Sequence, residues 1–207
     1  GILKLTAEDS AALIGVSQKS FELALTGLAQ EAEIILAEEP PAKVKIYFAS
    51  DFADPSTAPP DASPRFGYSR KPADGPLEQD FVSYQHPVFF LAPGYSGRDA
   101  VDDIDRLSLL TEFFSEISAK MGPALHWVYV SMESGVHISF PGHGGFPDGY
   151  DPRRRSWYVG ATDEIRWSMP YVDATSGQAI MTVSKRLRHA DGSPAGVAGM
   201  DVLLSEV

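Results

Sequence analysis

The chain has 207 residues, 43% of them hydrophobic, enough for one well-buried core, and a formal net charge of −11. So acidic a chain argues against nucleic acid or an anionic membrane surface as its partner. With no cysteine it can build neither a disulfide framework nor a thiolate metal site, and no apolar run approaches the roughly 18–20 residues of a membrane span.

Residues 7–37 hold no proline and read as one long helix. Thr6 with Asp9, and Glu8 in the first turn, supply a start signal, and Glu38-Glu39-Pro40-Pro41 ends it, because proline disfavours the α region in the residue before it. Ile14, Phe21, Leu28 and Ile35 recur at every seventh position, with Leu25 and Ala32 between them. That stripe packs the helix on its own domain, or pairs it with a second copy as a stalk, giving a homodimer through the N-terminal helix. Residues 1–39 are accordingly read as a stalk helix and 40–207 as the ligand-binding module. Between Pro40 and Pro93 lie ten of the sixteen prolines. Residues 54–64 offer nothing to bury and read as an extended surface excursion within a proline-rich insertion near 50–80. Phe81–Leu91 is its one strongly apolar segment and should contain a strand. From Ala100 to Lys120, Ile104, Leu107, Leu110, Phe114 and Ile117 return to helical spacing.

The last third is β-rich. Leu125–Val130, Val136–Phe140, Gln178–Lys185 and Ala195–Leu203 read as strands, with turns at Glu133-Ser-Gly135 and Asp191-Gly192-Ser193. Strands that follow one another without long helices imply an antiparallel sheet, so the expected fold class is α+β.

Three segments there share one chemistry: Tyr150-Asp-Pro-Arg-Arg-Arg-Ser-Trp157-Tyr158, Tyr171-Val-Asp173 and Gly-Met-Asp201. A guanidinium fork pairs with a carboxylate through two parallel bonds, an aspartate takes an ammonium, and rings exclude water. Such a set suits a small zwitterion. The structural alternative makes Trp157 and Tyr158 core aromatics and ties Arg155 to an internal acid.

Competing chemistries find less support. Pro141-Gly-His-Gly-Gly145 faintly resembles an esterase oxyanion loop, but no Gly-x-Ser-x-Gly elbow accompanies it; the glycines are read as bending a loop. His137, His143, Asp148 and Asp151 match no metal-ligand spacing and read as ordinary loop polarity. No cofactor is expected, and three arginines in so acidic a chain make a poor nucleic-acid footprint.

The same segments carry a resemblance. D-P-R-x-R-x-W-Y, then Pro170-Tyr-Val-Asp-Ala-Thr-Ser-Gly177, an apolar strand at Met181-Thr-Val-Ser, the Asp191-Gly192 turn and the closing G-[IM]-D resemble, in order, the signature of extracellular Cache sensor domains of the double-Cache type. The likeness covers roughly Leu125–Val207, and the arginine run before Trp157-Tyr158 is also similar to the Cache region of calcium-channel α2δ subunits. It implies a PAS-like antiparallel sheet behind a long N-terminal helix, and a non-catalytic extracytoplasmic sensor of a membrane-anchored receptor binding a small amine-bearing carboxylate, foremost an α-amino acid. It further implies Arg155 and Trp157 on the ligand carboxylate, Tyr158 as a ring contact, and Tyr171, Asp173 and Asp201 on the amino group. A looser alignment adds Tyr129. Ser156 stands where the family commonly has proline. A second membrane-proximal module and the membrane spans are expected outside this chain, which opens on Gly1-Ile-Leu and stops at Val207. A structural or interaction module without a ligand is the alternative from another class, and an extracellular hydrolase a weaker one.

Overall fold

In a computed structural model, which describes residues 7–70, 78–95 and 97–206, α1 spans Ala7–Ala37. Thr6 of the expected start signal and the side chain of Ile14 lie outside the described residues. From Phe21 on, the stripe is buried against the chain's own sheet: Phe21, Leu25, Leu28, Ala32 and Ile35 share one apolar cluster with Val128, Val183, Leu187, Ala198 and Met200. Each fully buried side chain of this size contributes roughly 1.5–3 kcal/mol. The flanks of the helix are tied down as well. Glu22 Oε1 accepts from Trp167 Nε1 at 2.9 Å, Glu33 Oε1 accepts from the Arg188 N–H at 2.9 Å, and Arg106 Nε donates to the Glu38 carbonyl at 2.8 Å. From Phe21 to Ile35 the seven-residue stripe therefore packs on the chain's own domain.

The proline-rich zone is more ordered than its composition suggests. A 3-10 turn at Ala49–Ala53 buries Phe52, and β1 (Ser63–Arg70) pairs antiparallel with β2 (Glu78–Ser83). Asp61 anchors the excursion, accepting from Ser83 Oγ and from the backbone N–H of Tyr84 and Gln85. The single strand expected in Phe81–Leu91 is two, β2 and β3 (Val88–Leu91), because His86-Pro87 breaks the ladder and the halves join different sheets. The helix expected over Ala100–Lys120 is likewise divided into α2 (Gly97–Leu107) and α3 (Thr111–Met121) by a 3-10 turn at Ser108–Leu110.

The third zone holds β4 (Leu125–Met132), β5 (Val136–Phe140), β6 (Gly142–His143), α4 (Ser156–Val159), β7 (Arg166–Trp167), β8 (Tyr171–Val172), β9 (Ala179–Arg188) and β10 (Pro194–Leu203). The large sheet runs β3-β5-β4-β10-β9-β7, with β8 also on β9, and a small sheet runs β1-β2-β6. All these ladders are antiparallel. The chain is therefore α+β, with a PAS-like antiparallel sheet behind a long helix.

Side chains alternate between the two faces of a strand. Val128 and Val130 on β4, Val136, Ile138 and Phe140 on β5, Val183 and Leu187 on β9, and Ala198 and Met200 on β10 join the helix-side core. The residues between them, Trp127, Tyr129, His137, Ser139, Thr182, Ser184, Val197 and Asp201, are also buried, on the other face. That second, largely polar interior is the candidate site.

Candidate functional site

Register builds the floor of the site. Tyr129 lies opposite Ser139 on one side and Gly199 on the other, and Asp201 lies opposite Thr182. At Gly199 a Cβ would sit 2.5 Å from the Tyr129 ring, so glycine there lets the ring lie flat across β10. The Tyr129 hydroxyl then donates to Asp201 Oδ1 at 2.8 Å, as does Thr182 Oγ1 at 2.6 Å. Since Thr182 spends its proton on Asp201, the 2.5 Å contact between Tyr171 and Thr182 has the tyrosine as donor. Both tyrosine protons are thus committed, and what the hydroxyls can still offer is lone pairs.

Asp173 follows β8. Its Oδ2 accepts from the Ser176 backbone N–H at 2.8 Å, Ser176 Oγ at 2.7 Å and Trp127 Nε1 at 3.0 Å. All three bonds fall on one oxygen, so Oδ1 keeps its acceptor capacity. Behind it His126 Nε2 donates to Ser176 Oγ at 2.7 Å, because the serine proton already points to Asp173. Burial lowers the His126 imidazole to about 4, against the Asp173 charge that would raise it. The two aspartates titrate apart. Burial pushes Asp173 up, but the Ser176 and Trp127 donors and His126 outweigh it and hold the group below the ordinary carboxylate range. Burial, and then the Asp173 charge, push Asp201 up to about 8 against the hydrogen bonds of Thr182 and Tyr129.

The arginine run divides by partner. Asp151 caps its 3-10 turn (Pro152–Arg154) and receives Arg153 Nε and Nη2, both at 3.0 Å; the same guanidinium reaches the Pro93 and Glu133 carbonyls at 2.8 and 3.2 Å. Arg153 is a clamp between loops. Arg154 is exposed, with Asp151 3.9 Å away. Arg155 is the one that lines the cavity, its guanidinium carbon 5.8 Å from the centre of the Tyr150 ring. Arg155, Trp157, Tyr171, Asp173, Asp201 and Tyr129 all line this cavity; Tyr158 does not. α4 is one turn long, and about 100° separates successive residues on a helix. Trp157 therefore turns in against Tyr129, with ring centroids 4.8 Å apart, while Tyr158 meets the edge of Trp157.

The sequence reading missed the far wall. His137 and His143, whose spacing suggests ordinary loop polarity, are buried on β5 and β6 and line the cavity with Ser139, Phe146 and Tyr150. Burial lowers both imidazoles to about 3. The glycines around His143 do not merely bend a loop. A Cβ on Gly142 would lie 2.3 Å from the His86 carbonyl, one on Gly144 2.9 Å from Phe52, and one on Gly145 2.3 Å from Asp80 Oδ2. Close packing against the proline-rich zone thus presses His143 into the site. The one available signal was the alternation Val136-His-Ile-Ser-Phe140, a strand with polar residues on one face. No group of histidines and acids suited to a metal occurs among the described residues.

The cavity, partly open to its surroundings, measures about 20 Å³, space for roughly one water. Segments 146–155 and 173–175 supply Phe146, Tyr150, Arg155, Asp173, Ala174 and Thr175 to the lining, and neither carries sheet pairing. Chemically the site offers one guanidinium, two carboxylates, tyrosine lone pairs and aromatic walls, without a nucleophile poised on a base.

Residues 113–207 match the family model described as "Methyl-accepting chemotaxis protein-like, first PDC sensor domain". The methyl-accepting chemotaxis protein McpB of Bacillus subtilis (strain 168) is 33% identical over 99 residues, 46% of this chain and 14% of that protein. TlpB of the same organism is 34% identical over 103 residues, 48% and 15% respectively. The chain thus spans about one seventh of the length of these relatives. Among solved structures, the ligand-binding domain of the Pseudomonas aeruginosa PAO1 amino acid chemoreceptor PctC in complex with GABA is 37% identical, covering 39% of this chain and 38% of that one, with a TM-score of 0.36. Residues 113–207 are thus similar to a Cache-type (PDC) sensor domain, a ligand-binding rather than a catalytic module, and every cavity-lining residue falls within that span.

Proposed function

We propose that this sensor domain binds a free α-amino acid as the extracytoplasmic input of a membrane-anchored chemoreceptor. One observation carries the reading: a guanidinium, Arg155, and two carboxylates, Asp173 and Asp201, line the same buried cavity. In this reading Arg155 takes the ligand carboxylate with two parallel bonds. Asp173 Oδ1, Asp201 and the Tyr171 lone pair take the ammonium, and Trp157 and Tyr129 wall off water. Tyr158 braces Trp157 from outside. The whole-receptor role rests on likeness to methyl-accepting chemotaxis proteins, of which this chain covers a small part. No helix among the described residues is long and apolar enough to cross a membrane.

A ligand signals only if it binds two conformations with different affinity. A cavity of about 20 Å³ is smaller than an amino acid, so in this reading occupancy shifts the residues that line it. A thermal-shift screen of the proteinogenic amino acids tests the binding, because a ligand that binds the native state raises the melting temperature by mass action. At least one α-amino acid should raise it in a saturable manner. A flat panel, confirmed by calorimetry, overturns the reading in favour of an interaction module.

A further inference from the structure

We infer, on the basis of the amino-acid reading above, that the wall formed by Ser139, His137 and His143 selects a short, uncharged side chain carrying a hydrogen-bonding group, of the hydroxyl-amino-acid class. Once Arg155 and the two aspartates are assigned to the ligand's charged ends, this wall supplies the polar side chains of β5 and β6 that remain for its side chain, beside Phe146, Tyr150, Ala174 and Thr175. Its chemistry is specific. The His143 ring is held between Trp127 and Phe146, with centroids 4.0 and 4.5 Å away. Its Nδ1 accepts the Gly145 backbone N–H at 3.2 Å, which leaves the ring proton on Nε2 as a fixed donor. His137 Nδ1 is engaged with Ser131 Oγ at 2.5 Å, so its other nitrogen remains a single uncharged hydrogen-bonding group whichever tautomer is present. Ser139 adds a buried hydroxyl that can donate and accept.

Charge selectivity follows from burial. Both imidazoles are lowered to about 3 and stay neutral at physiological pH, so neither compensates a side-chain carboxylate. Nor does the wall hold an acid for a lysine or arginine side chain: Asp80 sits behind Gly145, outside the lining. Length is limited because the wall cannot retreat. Gly142, Gly144 and Gly145 already press their backbone onto His86, Phe52 and Asp80. A small hydroxyl-bearing side chain satisfies the His143 and Ser139 groups, whereas an isosteric apolar one leaves them buried without partners.

Calorimetric titration of the wild-type domain with L-threonine and L-valine, near-isosteres, and with L-serine and L-alanine, tests this. The hydroxyl member of each pair should bind roughly tenfold tighter or better. L-lysine and L-glutamate should bind more weakly than either hydroxyl amino acid. In His143→Phe, which keeps a flat ring between Trp127 and Phe146, and independently in Ser139→Ala, the preference for the hydroxyl member of each pair should shrink toward unity. Equal or tighter binding of L-valine than L-threonine overturns the wall's assignment and leaves the amino-acid reading standing, as does a preference for a charged side chain. If no amino acid binds at all, the parent reading falls and this one with it.

Discussion

Val128 and Tyr129 are neighbours in β4, and both are buried, yet they serve opposite purposes. Val128 joins an apolar face on which α1, α2 and α3 pack chiefly through buried hydrophobic side chains. Tyr129 belongs to a face where Asp173, Asp201, three histidines and several hydroxyls are buried together. The helix side is stabilised by non-directional burial. The site side is organised by directed bonds whose donors converge on two carboxylates, and burying those carboxylates carries a cost unless a cation arrives. One sheet thus separates what holds the domain together from what is poised to respond.

Substitutions that act on one face should leave the other nearly untouched. Leu28→Ala, deep in the helix-side cluster, should cost about 2–5 kcal/mol of unfolding free energy, read by denaturant titration, with ligand affinity unchanged under conditions where the variant is folded. Arg155→Ala should do the reverse. Its melting temperature should move little, while affinity for an α-amino acid falls by about 2–5 kcal/mol, roughly 30-fold to several thousand-fold. Lysine at that position should restore affinity only in part, because a point charge lacks the planar fork.

Asp201 sharpens the contrast through pH. Its carboxyl is raised to about 8 in the folded chain from an ordinary value of 3.8. A raised acid contributes its stabilisation fully below pH of about 4 and loses it as pH climbs toward 8, by up to about 1.4 kcal/mol per pH unit. Across that window the stability of wild type should therefore fall relative to Asp201→Asn. An ammonium ligand favours the ionised carboxylate, so wild-type affinity should increase from pH 6 to pH 8 with proton release, and the asparagine variant should show no such trend. The smallest effects separate two tyrosines. Tyr171→Phe should weaken binding roughly tenfold through loss of one hydrogen-bonding oxygen, whereas Tyr158→Phe, outside the cavity, should bind within about twofold of wild type by the same titration.

What could be read from the sequence follows the reach of the forces involved. β4, β5, β9 and β10 were legible because alternation is local, and α1 because its stripe is. The use of that stripe was not, since a seven-residue repeat looks the same whether a sheet or a second helix covers it. β1 and the 3-10 turn with Phe52 escaped because their order comes from distant partners: Phe52 rests on Gly142 and Gly144 some 90 residues away. His137 and Ser139 alternate with Val136, Ile138 and Phe140 as on any half-exposed strand. Nothing within β5 announces that its polar face is roofed by residues 146–155. Arg153, Arg154 and Arg155 are chemically identical, and only the 3-10 turn capped by Asp151 decides which one enters the cavity. One residue's rotation on a four-residue helix sets Tyr158 outside the cavity lining that Trp157 joins.

The central claim is that one cavity holds both charged ends of a zwitterion. Calorimetry with the tightest-binding α-amino acid, beside its decarboxylated amine and its deaminated acid, tests it most directly. The amino acid should bind, and each analogue should lose at least about 30-fold, since each leaves Arg155 or the aspartate pair in the cavity without its counter-charge. An analogue lacking either charge that binds as tightly as the intact amino acid would contradict the account.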